Sequence, residues 1–293
     1  MTIRKSLRLS ALLLLALAFY PLPAHAAPVP CTDSRLSSQG DFCIVHSQKE
    51  LLELAILPDL ATLPPYDLRV VAGPRRRILR FSNAVWNQGP GTLELVGYPL
   101  TIRTSPVFQK LATSAGISFQ HDVGFLEFHP EHHHWHWDGF SLYEIWYTDA
   151  QGQPTHLATT SSKVSYCMMD TSRIDPRRHP PGPDAPERRQ FGQCGWRKQG
   201  ISPGWIDIYQ SYLPGQDMDI TTLPDGLYLL RSTVNPGGIL AERDSSNNSA
   251  SVYFSLRGSQ LRLVEAEEIN ALPAIFHSPS QVMSSFSQKL NLR

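Results

Sequence analysis

The sequence predicts a mainly-β fold, a single β-sandwich-like domain with long loops and few short helices. Three observations carry this reading. Short alternating or β-rich apolar runs dominate, turn clusters separate them, and 24 prolines argue against an all-helical chain. Strands are expected at residues 78–81, 92–96, 140–147, 163–168, 227–234 and 250–256. In 92–96, for example, Leu93 and Leu95 alternate with Thr92 and Glu94, the pattern of a half-buried strand. Gly89-Pro90-Gly91, Asp149-Ala150-Gln151-Gly152 and Asn235-Pro236-Gly237-Gly238 punctuate the runs as turns. Helix is expected at 47–56, with a weaker stretch near 261–272. Residues 258–293 read as a C-terminal extension with less apolar patterning. A hydrophobic share of 41% is ample for a core, and no internal repeat is visible.

Residues 1–26 read as an export signal. Arg4, Lys5 and Arg8 precede an apolar run over 9–19, and Ala24-His25-Ala26 offers a small-x-small cleavage site. The run is shorter than the roughly 20 residues of a membrane-spanning helix, so no stable membrane span is expected. The full chain balances 26 basic against 26 acidic side chains, and cleavage would leave the mature chain slightly acidic. That argues against a nucleic-acid partner. A secreted or periplasmic location favours disulfides among Cys31, Cys43, Cys167 and Cys194. Three connectivities are open. The local one, Cys31–Cys43 with Cys167–Cys194, is favoured over reduced or metal-bound thiols because no C-x-x-C spacing is present.

Five of the eleven histidines fall within eight positions, in Phe128-His129-Pro130-Glu131-His132-His133-His134-Trp135-His136-Trp137. Along an extended segment side chains alternate, so His132, His134 and His136 would share a face. Neutral imidazoles ligate copper, zinc, iron and nickel. The outer two Cα atoms would stand about 13 Å apart in a regular strand, so convergence on one ion needs a bulge or strong twist. His129 is either a fourth ligand or an outer partner. The plainer alternative is a histidine-rich loop without metal.

Six ordered blocks then resemble one family. They are Leu57-Pro58-Asp59-Leu60; Leu79-Arg80-Phe81 with Val85-Trp86-Asn87-Gln88-Gly89; and His132-His133-His134-Trp135-His136 with residues 140–144. The others are Ser162-Lys163-Val164-Ser165-Tyr166-Cys167-Met168-Met169-Asp170-Thr171; Gly200-Ile201-Ser202-Pro203-Gly204-Trp205-Ile206-Asp207-Ile208-Tyr209; and Val234-Asn235-Pro236 with Glu242-Arg243-Asp244-Ser245-Ser246-Asn247-Asn248. Over residues 57–257 this set is similar to the catalytic domain of the lysyl oxidase family, copper-dependent amine oxidases of the extracellular space and of bacteria. Residues 27–56 then form an N-terminal segment.

The resemblance implies that His132, His134 and His136 hold copper. It also implies that Lys163 and Tyr209 supply a self-derived lysine tyrosylquinone and are catalytic through it. The substrates would be a primary amine or peptidyl lysine and molecular oxygen. The products would be an aldehyde, hydrogen peroxide and ammonia. Cys167 and Cys194 match cysteines of the animal domain. With that domain's other cysteines mostly missing, they would pair with each other, which suits a bacterial-type member. The interval from His136 to Phe140 is one residue shorter than in animal enzymes. Asp207 would share the strand face of Tyr209, but no base is identified. Asp170 and Glu242 read as hydrogen-bond anchors. Arg173, Arg177, Arg178, Arg188 and Arg189 either rim the substrate entrance or decorate a solvated connector. The competing readings are a copper-binding β-sandwich without oxidase activity, an unrelated mononuclear metalloenzyme, and an adhesion domain without metal.

Overall fold

Strand pairing follows the apolar alternation of the chain. Leu93, Leu95 and Gly97 are buried while Glu94 and Val96 are half-buried, as a strand with one face on a core requires. The computed structural model describes residues 37–39, 42–44, 48–98, 100–114, 116–131, 133–161, 165–174, 185–265 and 268–269. The expected signal segment and the Cys31–Cys43 pairing lie outside the described residues. The chain divides into two units, Met1–Ile44 and Val45–Arg293. In the first, Ser37–Gln39 and Phe42–Ile44 pair as an antiparallel hairpin.

The second unit is mainly β, with three antiparallel sheets. One runs in the order Pro154–Thr160, Ser141–Thr148, Gly226–Val234, Ser249–Arg257, Gln260–Val264. A second is built on the long strand Arg76–Asn87. Its C-terminal half pairs with Trp205–Tyr209 and Leu60–Thr62, its N-terminal half with Tyr66–Gly73 and Asp217–Asp219. The short strand Ser172–Arg173 adds outside Trp205–Tyr209. The third sheet orders Lys198–Ile201, Leu93–Gly97, Thr104–Ala112, Ser118–His129 and His134–Trp137. One core draws on all three: Leu79 and Phe81, Leu93 and Leu126, Tyr143 and Phe254.

The helix Gln48–Leu54 lies within the expected 47–56. Two expectations differ. Residues 165–168 form no strand; Tyr166 makes only an isolated bridge with Trp137, because this segment is tied to several elements at once. Residues 261–264 are strand, not helix. Gly258 turns the chain at φ 59°, and Gln260–Val264 folds back antiparallel on Ser249–Arg257. Close approach also explains a glycine of the resembling blocks. A Cβ on Gly200 would overlap the Leu93 carbonyl oxygen and press on the Phe191 ring.

The first and last resembling blocks meet in a polar brace. Half-buried Glu242 accepts from the Leu60 amide (3.2 Å), Asn235 Nδ2 (2.6 Å) and Asn248 Nδ2 (2.7 Å). Asp59 Oδ1 accepts from Asn247 Nδ2 and Gln88 Nε2. Burial raises the Glu242 pKa, and its position is that of an anchor. Among the described residues no helix is long and apolar enough to cross a membrane.

Candidate functional site

The histidines sit on a hairpin. Ser118–His129 pairs with His134–Trp137 so that His129 faces His134, Phe128 faces Trp135, Glu127 faces His136 and Leu126 faces Trp137. Opposed residues of an antiparallel pair share a face. Leu126, Trp135 and Trp137 therefore enter the core while His129, His134 and His136 gather on the other side. Ring centroids lie 4.3 Å apart for His129 and His136 and 4.7 Å for His134 and His136. Nε2 of His134 and Nε2 of His136 are 2.8 Å apart. The strand begins at His134, after a turn that includes Glu131 and His133, the latter at φ 55°. His132 lies outside the described residues. Among the described residues no group of three His, Cys, Asp or Glu side chains is arranged to hold a metal.

The spacing of the imidazole pair fits one ion. Two nitrogens each about 2.0–2.1 Å from a metal and at right angles stand about 2.9 Å apart, close to the observed edge. Neutral imidazole nitrogens such as these would suit copper(II). Ser165 Oγ lies 3.4 Å from Nδ1 of His136, on the side of the ring away from the pair. A partner there orients a ligand ring.

Residues 165–167 connect this hairpin to Tyr209. Tyr166 exchanges backbone hydrogen bonds with Trp137, at 2.8 and 3.0 Å. The Tyr166 ring stands edge-on to the Tyr209 ring at 4.6 Å, and the Tyr209 hydroxyl donates to the Cys167 carbonyl. A disulfide joins Cys167 to Cys194, as the local connectivity expects. The Cys194 carbonyl in turn accepts from the Trp135 amide. Buried Gln199 completes the knot, donating to the Trp135 carbonyl and accepting from the Met168 amide. His134, His136 and Tyr209 are thus linked through a few residues, whereas Lys163 lies outside the described residues.

Burial shifts three groups here toward their neutral forms. Burial, then the Asp207 carboxylate and Tyr143, push the Tyr209 phenol well above its ordinary range. Tyr166 is raised likewise, chiefly by burial. Burial also drives Asp207 up to about 8, opposed by its hydrogen bonds from Thr171 Oγ1 (3.0 Å) and the Met169 amide (3.4 Å). Buried Asp170 accepts from the amides of Gln190, Phe191 and Ser202 and from Ser202 Oγ, which makes it an anchor. Arg173, Arg188 and Arg189 are exposed, Arg189 donating to the Asp170 carbonyl; Arg177 and Arg178 lie outside the described residues. The sequence reading missed Ser165, Tyr166 and Gln199. The first two lay inside a quoted block, but nothing local marks Gln199.

The fold is thus antiparallel β, with two imidazoles paired on one hairpin and phenols packed into the core beneath. A family model described as lysyl oxidase matches residues 112–266, more than half of the chain. The chain belongs to the lysyl oxidase family. It is 36% identical to a protein-lysine 6-oxidase of Sus scrofa over 42% of this chain and 43% of that protein. To the Homo sapiens protein of the same name it is 35% identical over 42% of this chain and 26% of that one. To lysyl oxidase homolog 2 of Gallus gallus it is 28% identical over 59% and 17%. The matched segment spans less than half the length of each of these relatives.

Proposed function

We propose that this chain is an exported copper-dependent amine oxidase, bacterial in type and secreted or periplasmic. It would convert primary amines, peptidyl lysine among them, to aldehydes with release of hydrogen peroxide and ammonia. The observation that carries this reading is the pairing of His134 and His136 at 2.8 Å, linked through residues 165–167 to the half-buried Tyr209. Membership of a family with relatives named protein-lysine 6-oxidase supports it. His132, His134 and His136 are assigned to copper. Lys163 and Tyr209 are assigned to lysine tyrosylquinone, and residues 57–257 to the catalytic domain. When bound, copper and the quinone supply oxidation of the amine-bearing carbon and return of its electrons to oxygen.

The chain's own residues do the positioning. Ser165 steadies the His136 ring, the Cys167 carbonyl holds the Tyr209 hydroxyl, and Tyr166 fixes the tilt of the Tyr209 ring. Asp207, two residues from Tyr209, keeps a proton below about pH 8. The test is peptide mass spectrometry on protein purified with copper in air. A cross-linked Lys163–Tyr209 peptide with the mass of a quinone is the expected result. Separate, unmodified peptides despite stoichiometric copper would replace this reading with a copper-binding β-sandwich without oxidase activity.

A further inference from the structure

A cluster of buried polar groups lies beside Tyr209 that none of this explains. Asn83 stands directly opposite Tyr209 in the strand register, so both side chains leave the sheet on one face. Phe81 shares that face and meets the Tyr143 ring edge-on at 4.8 Å. The Tyr143 hydroxyl lies among Tyr166, Gln216, Ser141 and Asn83. Asn83, Tyr143 and Gln216 are each no more than 1% exposed. Even so, Asn83 Nδ2, the Tyr143 hydroxyl and both amide atoms of Gln216 make no hydrogen bond of ordinary geometry. These are most of the buried unsatisfied side-chain atoms among the described residues, and they are gathered around one hydroxyl. Each such group costs about 1–3 kcal/mol when left unpaired, which points to an occupant.

The chemistry of the lining selects that occupant. Amide N–H, amide C=O and phenol groups turn inward, so it must both donate and accept. An ion buried among neutral groups would lack a countercharge and is strongly disfavoured. Water bonded to about three otherwise unsatisfied groups is the usual solution in protein interiors.

We propose that Asn83, Tyr143 and Gln216 form an internal water site that supplies water to the reaction at Tyr209. Its purpose rests on the amine-oxidase reading; the presence of the water does not. Oxidation of an amine consumes water: R–CH2–NH2 + O2 + H2O → R–CHO + NH3 + H2O2. The C–N bond breaks, the aldehyde oxygen comes from water, the carbon loses two electrons and O2 gains them. A ring packed under Tyr166 with its hydroxyl on a backbone carbonyl gains from water stored within the core. Asn83, Tyr143 and Gln216 are positioning residues in this scheme, acting through the water they hold.

The first test is an atomic-resolution crystal structure of the purified protein. Water within hydrogen-bonding distance of the Tyr143 hydroxyl and of a Gln216 or Asn83 amide atom is expected, and its loss in Gln216→Leu. A dry pocket in which Tyr143 bonds Gln216 directly would overturn the site. The second test compares anaerobic, amine-dependent bleaching of the cofactor with aldehyde release. Gln216→Leu and the milder Tyr143→Phe should slow aldehyde release about 10-fold, near 1.4 kcal/mol, while bleaching stays at the wild-type rate. Equal slowing of both, with water still present, would refute delivery. A wild-type protein that neither bleaches nor turns over would sink the amine-oxidase reading and leave the water site to the crystal structure.

Discussion

At the scale of single residues, the imidazole pair has a specific expectation. His136 is 2% exposed and lies 2.8 Å from its strand neighbour His134, so removing it takes away one of two preset donors. His136→Ala should abolish stoichiometric copper binding, read by metal analysis and electron paramagnetic resonance. His129→Ala should keep the stoichiometry and weaken affinity about 10–100-fold, as expected for an outer partner. Loss of stoichiometry in His129→Ala would make His129 a ligand instead. Its place beside His134 was open in the sequence because the pairing depends on the turn between the two strands. The alternation of His134 with Trp135 and of His136 with Trp137 was legible, since a period of two needs no long-range information.

At the scale of elements, the segment after Lys163 shows where local pattern loses to tertiary demand. Val164, Tyr166 and Met168 alternate as a strand would. Yet Tyr166 bridges Trp137, Cys167 is tied to Cys194 and Met168 bonds Gln199, three different partners that no single ladder satisfies. Asp170 organises the loop that follows, holding residues 190, 191 and 202 together. Asp170→Ala would strand three backbone N–H groups, two of them in buried bonds, and should lower unfolding free energy by about 3 kcal/mol or more. Urea titration reads this directly; a loss under about 1 kcal/mol would show that the loop finds other partners. The Gly89-Pro90-Gly91 and Asn235-Pro236-Gly237-Gly238 turns were readable from composition alone. The strand Gln260–Val264 was not, because a short apolar run acquires its type from the neighbour it pairs with.

For the whole molecule, Asp207 ties stability to pH. Its carboxyl is raised from 3.8 to about 8 by burial. Between those values the native state holds a proton that the unfolded chain has released. Stability therefore falls as pH rises through this window, by up to about 1.4 kcal/mol per pH unit, and levels off above it. Asp207→Asn removes the titration. Its melting temperature should decline less than that of the wild type between about pH 5 and pH 8, measured by scanning calorimetry at matched ionic strength. Parallel curves would mean that Asp207 is ionised in the fold. The mainly-β class was legible across the chain from alternation and turns. The grouping of Asn83, Tyr143, Gln216 and Tyr209 was not, because strand register and a loop assemble it from three distant stretches.

The histidine hairpin also constrains how the chain can change. Its pairing puts imidazoles on one side and Trp135 and Trp137 on the other, with positions 130–133 as the connection. If that connection lost one residue while keeping its geometry, parity would invert. The tryptophans would turn outward and the histidines would replace them against Leu126. Apart from His132, composition in the connection is less constrained than its length, which counts as an odd-or-even quantity. Insertions and deletions there should survive in pairs or not at all.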